Sequence, residues 1–217
     1  MATSPPITDL RRTHPGLYRA PDTPVRLTVP PLQYLMLDGA GDPRLGPAYP
    51  GDPQLAPAFM DAVLTLYAVS YGLRFMVKDA GGEPWTVMPL EGLWWADDMA
   101  SFSVGRRDDW LWTAMIAQPS VGTADLVADA VAAAVRKGKA PSAEGLRLEV
   151  FDEGDSAQVM HHGPFTDEGP TIARLHAFIA DAGLQRRGKH HEVYLSNARR
   201  TSPEKLRTIL RQPVLAG

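Results

Sequence analysis

Lys189 to Asn197, KHHEVYLSN, with ARRTSPEKLRTILRQPV after it, is the stretch from which this chain is best read. It reads as a late β-strand that carries an acid, Glu192, among apolar and aromatic neighbours. Side chains alternate between the two faces of a strand. Glu192, Tyr194 and Ser196 therefore share one face, and His191, Val193 and Leu195 share the other. The Val/Leu face is the natural one to bury under helices, which leaves a carboxylate and a phenol side by side on the opposite face. If that face is open to water, Glu192 is an ordinary surface acid. If it lines a cleft walled by aromatics, Glu192 is a cation anchor or a general base.

The rest of the chain sets bounds on that choice. Its 217 residues, 44% of them hydrophobic, suffice for a real core in one large domain or two small ones. A formal net charge of -3 argues against a nucleic-acid partner, which calls for a basic excess. No apolar run approaches the ~20 residues of a membrane-spanning helix. MATSPPITDLRRTHPG lacks the apolar core of a signal peptide. No membrane partner is expected, and a cytoplasmic location is the default. The absence of cysteine removes disulfides, thiol nucleophiles and thiolate metal sites.

Residues 1–24 are proline-rich and aperiodic, a loose arm ahead of a single domain over 25–217. TVPPLQYLMLDG (28–39) reads as a strand, and the Pro/Gly loop 40–57 is long enough to suggest a lid. Pro57 suits a helix start, and Phe59, Val63, Leu66 and Tyr67 recur at helical spacing. YGLRFMVK (71–78) and WTVMPLEGLWW (85–95) then read as strands joined by a hairpin at Gly81-Gly82. A strand or hairpin over 101–119 follows, then a helix capped by Thr123, then a strand over 146–154 paired through a turn near Gly154 with DSAQVMHHGPF (155–165). A helix opened by Pro170 and closed by Gly183 leads to HHEVYLSN and a last strand over 205–214. Strand, helix, strand, strand thus occurs twice, in a first module over about 28–95 and a second over about 101–214 whose own repeat spans 155–214. The expected fold is α+β with a mostly antiparallel sheet: two modules in pseudo-twofold arrangement, helices on one face and a central ligand crevice on the other.

Five segments carry a resemblance to a known family: SYGLRFMVK, PLEGLWW, WLWTAMIAQP, VMHHGPFTDEGPTIARLHAFI and HHEVYLSNARRTSPEKLRTILRQPV. They stand in family order across most of 28–214, and with them the chain resembles the GyrI-like small-molecule-binding domain family. The resemblance implies two strand-helix-strand-strand modules around a crevice. Family members include ligand-sensing halves of transcription regulators that bind lipophilic cations, and free-standing proteins. This chain is similar to the free-standing branch, some of whose members open the cyclopropane ring of DNA-alkylating natural products. The resemblance implies that activity, and composition and spacing do not show it.

Glu192 matches the family's crevice glutamate, and a carboxylate in an aromatic pocket can hold a cation or deprotonate a water. Tyr71 matches a family tyrosine after serine, where a phenol could orient water or donate to developing negative charge. Tyr194 is a second candidate for that role. Five tryptophans lie between Trp85 and Trp112, and Trp95 and Trp112 are favoured as walls for a flat apolar ligand. Glu91, His161 and Phe165 complete the expected ligand-binding set, with structural roles open for Glu91 and His161. Glu168, before a helix start, is expected to cap rather than to catalyse. His161-His162 and His190-His191 suggest a metal at first glance, but strand neighbours point to opposite faces, so no metal and no cofactor are expected. The partner expected is a hydrophobic aromatic small molecule, and unpaired strand edges favour a homodimer. The leading expectation is a hydrolase of cyclopropanoid electrophiles using Glu192 and Tyr71. The rivals are a non-catalytic binder of lipophilic cations and a protein that inhibits a larger partner such as a topoisomerase, for which no acidic DNA-mimicking surface is visible.

Overall fold

The computed structural model describes residues 9–43, 56–83, 85–97, 107–198 and 200–217. The strands are β1 (Val25–Val29), β2 (Leu32–Ala40), β3 (Leu90–Trp95), β4 (Leu111–Gln118), β5 (Arg147–Phe151), β6 (Gly154–His162), β7 (Leu184–Arg186), β8 (His190–Tyr194) and β9 (Arg207–Ala216). The helices are α1 (Leu10–Thr13), α2 (Pro57–Asp79), α3 (Ala124–Arg136) and α4 (Gly169–Asp181). The described strands form one sheet in the order β1-β6-β9-β8-β3-β4-β2-β5, with β7 added beside β9. Every pairing is antiparallel.

The strand order shows the twofold repeat. β2-α2-β3-β4 and β6-α4-β8-β9 each place their second strand at the inner edge, so the modules meet along β3 and β8. The register there sets Glu192 opposite Gly92 and His190 opposite Trp94. This is the α+β, edge-to-edge architecture expected, with two corrections.

The first concerns 71–78, which is helix rather than strand: α2 runs unbroken from Pro57 to Asp79. Phe59, Ala62, Leu66, Val69, Leu73 and Val77 form a buried stripe at three- and four-residue intervals, a helical period that continues past Ser70. Gly72 lies in the middle of the helix, where a Cβ would sit 3.6 Å from the Cβ of Ala130 on α3. That is an ordinary van der Waals separation, so the helix contact would also accommodate alanine there. Gly81 and Gly82 follow the helix C-terminus instead of turning a hairpin, and only 90–95 of the expected strand 85–95 is extended. Consequently the first module spans β2 to β4, ending at Gln118. By length and composition α2 could cross a bilayer, but its buried stripe serves the core here. The expected lid falls largely at 44–55, outside the described residues, as does the start of the 101–119 strand.

The second concerns the sheet faces. Leu210, paired with Glu192 and hence on its face, packs with Ala157 and Val159 against Leu175 and Ile179 of α4. Phe59 of α2 packs on Trp94 and Trp112 of the same face. The helices therefore lie on the Glu192 face, not behind it. They cover its outer thirds and leave the middle, over β3 and β8, as the floor of a cavity. The opposite face is closed by the N-terminal segment: Leu17 and Tyr18 are buried, and Leu17 O and Gly16 O accept from Arg211 and Gln158. Part of the expected loose arm is thus a structural cover, because strand side chains on that face need a partner out of water as much as those under the helices.

Several local expectations hold. Thr123 Oγ1 accepts from the Leu126 amide at the start of α3. Gly154 and Gly183 have φ of +65° and +68°, a region easily reached only by glycine, at the β5–β6 turn and after α4.

Candidate functional site

The cavity encloses about 500 Å³ between α2, the β3–β8 seam and the start of α4. Glu192 and Tyr194 rise from β8, and Trp94 rises from the adjacent β3. Phe59, Val63, Tyr67 and Tyr71 come from α2, Trp110 from the residue just before β4, and Phe165 and Glu168 from the turn into α4. The aromatic wall is continuous. Phe59 and Trp94 have ring centroids 5.6 Å apart, Trp94 and Trp110 5.9 Å, and Phe165 meets Tyr194 edge-on at 5.5 Å. Tyr67 and Tyr71 stack at 6.3 Å, with Tyr71 at the exposed mouth. A cavity of this size and lining suits a flat, apolar, drug-sized ligand.

Three described charged groups reach it: Glu192, Glu168 and Arg11. Glu192 is 13% exposed. Tyr194 donates to it, while the Tyr194 oxygen accepts from Trp94 Nε1 at 3.1 Å. Burial, then the charges of Glu192 and Glu168, push the Tyr194 hydroxyl well above its ordinary pKa, so it stays a neutral donor. Glu168 precedes α4 but makes no side-chain cap bond, and it is buried in the cavity wall. The capping role expected for it is corrected accordingly. Two carboxylates in an aromatic cavity can hold a cation or work on a proton.

The structure brings Glu192, Tyr194, Tyr71 and Phe165 together around this cavity and places the other candidates elsewhere. Trp95 points to the opposite sheet face, where Lys189 Nζ sits 3.3 Å from its ring centroid. Trp112 is buried behind Phe59 and over Gly39, whose hypothetical Cβ would overlap the indole at 2.0 Å. It supports the wall without lining it. The tryptophans of the cavity are Trp94 and Trp110. Their signal was the register: Gly92 pairs with Glu192, so residues of Gly92's parity share its face. His161 is buried away from the cavity. It bonds Thr171 Oγ1 through Nδ1 at 3.1 Å and Pro164 O through Nε2 at 3.2 Å, and so holds the turn that carries Phe165 and Glu168. Among the described residues, no group of three His, Asp or Glu is arranged to hold a metal.

Glu91 lies beneath the sheet in a buried network. Tyr18, Tyr34 and His191 Nε2 contact its carboxylate at 3.3, 3.3 and 3.0 Å. His191 Nδ1 is 2.9 Å from Glu153, which also accepts from Arg211 at 3.2 Å. Burial alone would push the His191 imidazole down. The charge and hydrogen bond of Glu153, with the bond to Glu91, raise it to about 9. Burial alone would likewise raise Glu153, but the charges and hydrogen bonds of His191 and Arg211 bring it down to about 2. The group is a buried, mutually paired cluster that locks β3, β8, β9 and the N-terminal segment together.

Gly92 is the close-packed point of the floor. A Cβ there would lie 2.7 Å from Trp94 Nε1 and 3.0 Å from the Tyr194 hydroxyl. Gly92→Ala is expected to break that hydrogen bond and to lower stability by about 1–3 kcal/mol through overpacking. Urea denaturation checks this, and a variant as stable as the parent would show that the indole and phenol separate freely.

The chain matches the GyrI-like small molecule binding domain over residues 27–215. Comparison with curated proteins gave no match. Among solved structures it is similar to an uncharacterized conserved protein from Listeria innocua at 35% identity and TM-score 0.84, covering 96% of this chain and 100% of that one. It is also similar to a Listeria innocua hydrolase at 34% identity and TM-score 0.79, covering 96% and 100%. The EcmrR C-terminal domain shares the fold at 10% identity and TM-score 0.53, covering 90% and 98%. Two modules meeting at a ligand-sized cavity and a match along nearly the whole chain lead to one assignment: this protein belongs to the GyrI-like small-molecule-binding domain family.

Proposed function

We propose that this protein hydrolyses a strained cyclopropane ring conjugated to a dienone, as found in cyclopropanoid DNA-alkylating compounds. The observation that carries the reading is Glu192: a carboxylate on the floor of an aromatic cavity, held by the Tyr194 hydroxyl and open to the ligand space. The hydrolase relative from Listeria innocua supports the reaction type.

In this mechanism the aromatic walls hold the flat substrate. Glu192 takes a proton from a water as its oxygen bonds to the ring methylene. The cyclopropane C–C bond breaks, and its electron pair moves through the dienone onto the carbonyl oxygen, giving a phenolate. Tyr71 at the cavity mouth donates a hydrogen bond to that oxygen, where charge develops. Protonation of the phenolate completes net addition of one water. Ring strain and aromatisation drive the reaction, so no cofactor enters.

The test is mass spectrometry of a duocarmycin-type cyclopropane compound incubated with wild-type protein and with Glu192→Gln. A water adduct, ~18 Da heavier, formed above the buffer rate by wild type alone supports the assignment. A Glu192→Gln protein with full turnover ends it.

A second reading has its own observation. Glu168 and Glu192 both face the aromatic cavity, an arrangement suited to sequestering a lipophilic cation without turnover. It calls for ligand recovered unchanged, with affinity lowered in both Glu192→Gln and Glu168→Gln.

A further inference from the structure

We propose that His190 is a positioning residue for Glu192, donating from Nε2 to Oε1 and so fixing the orientation of the carboxylate toward the ligand. The proposal rests on the hydrolase reading and adds to it a group that does not line the cavity.

His190 and Glu192 are two residues apart on β8 and so share a face. His190 Nε2 lies 3.4 Å from Glu192 Oε1, with the two side chains 5% and 13% exposed. That nitrogen is buried and makes no hydrogen bond in the resting geometry. A buried ring nitrogen without a partner calls for explanation, because it has given up its water. The carboxylate beside it is the partner in reach, and contacts in catalytic sites are often long until substrate tightens them.

Both strand neighbours on this face bear on the same carboxylate. Tyr194, two residues further on, donates to the same carboxylate. Glu192 is thus bracketed along one strand face by a phenol and an imidazole. An imidazole N–H fixes the carboxylate rotamer, and a placed base depends on that orientation. The other described ionisable groups around His190 are His176 from α4, which feels its charge, and Arg186 of β7, which bonds His176. His191, the next residue, points through the sheet into the Glu91–Glu153 cluster and has no access to Glu192. The two adjacent histidines therefore do different work: one braces the fold and the other aims the carboxylate.

The test compares wild type, His190→Leu, His190→Gln, His190→Asn and Glu192→Gln for kcat and KM on the duocarmycin-type cyclopropane compound, with melting curves for each. Gln can offer an N–H near the position of Nε2, whereas Leu has none and Asn is too short to reach. His190→Leu and His190→Asn are expected to lose up to about 100-fold in kcat, the scale of a misplaced catalytic group. KM should stay within about threefold, since His190 does not touch the ligand. His190→Gln should recover most of the rate. If His190→Leu fails to fold, the Asn and Gln pair carries the same comparison. Wild-type kcat in Leu or Asn, alongside an inactive Glu192→Gln, overturns the positioning role and leaves the Glu192 assignment standing. Equal loss in Gln and Asn overturns the N–H donation. Full turnover by Glu192→Gln removes the hydrolase reading itself and this proposal with it.

Discussion

His191→Leu is expected to cost about 3–5 kcal/mol of folding stability, the range for removing one partner of a buried ion pair. The variant leaves Glu91 and Glu153 buried with Arg211 as their only described cation. Total stabilities of domains run to about 5–15 kcal/mol, so the change would bring the protein near its folding threshold. Urea denaturation at neutral pH checks it.

The same cluster sets a pH window. The His191 imidazole is raised to about 9 in the folded state, so its contribution is complete below its ordinary value of 6.5 and is lost as pH rises through 9. The Glu153 carboxyl is lowered to about 2, so its contribution is complete above its ordinary value of 4.5 and is lost as pH falls toward 2. The cluster stabilises most between those limits, from pH 4.5 to 6.5. In His191→Leu the alkaline decline should flatten. An unchanged alkaline limb, with stability within about 1 kcal/mol of wild type, would mean that His191 is not the buried cation described here.

The second large effect is on chemistry. Glu192→Gln is expected to lower turnover of the cyclopropane compound by about 10²–10⁴-fold, the contribution of a placed general base. The amide has the same shape, and its oxygen can still accept from Tyr194, so the melting temperature should barely move. Loss of rate with an intact fold separates this residue from its neighbour His191, whose replacement should do the reverse. Should the variant instead lose affinity for a lipophilic cation while neither protein makes product, the sequestering reading takes over.

Particular residues show how far the chain could be read unaided. The HHEVYL alternation put Glu192 and Tyr194 together on one face, and they are together in the cavity. Thr123, Gly154 and Gly183 signalled local events, which depend on a few neighbouring dihedrals and need no tertiary information. Tyr71 reached the cavity by a different route from the one expected, since 71–78 is helix rather than strand. Its aromatic and branched residues suit either state, and the helical period from Phe59 to Val77 decides between them only over a longer window. Trp95 and Glu91 could not be placed because one-residue parity on β3 decides the face, and parity has meaning only once a partner strand fixes the register. Trp112 on β4 has the cavity's face but is covered by Phe59 of α2, a contact between distant elements.

The sequence by itself determined the α+β class, the second strand-helix-strand-strand unit, the carboxylate-phenol pair on β8 and the family to which they belong, whereas the first unit was misread at 71–78, which is helix, and ends on β4. These depend on residue type and near spacing, which the chain carries directly. Tertiary structure alone decided which tryptophans wall the cavity, that Glu168 enters it, and that His191 meets the Glu91–Glu153 cluster. Each of those outcomes depends on strands and helices far apart in the chain meeting at the β3–β8 seam. There a single pairing, Gly92 with Glu192, sets which side chains meet the ligand and which stay buried behind it.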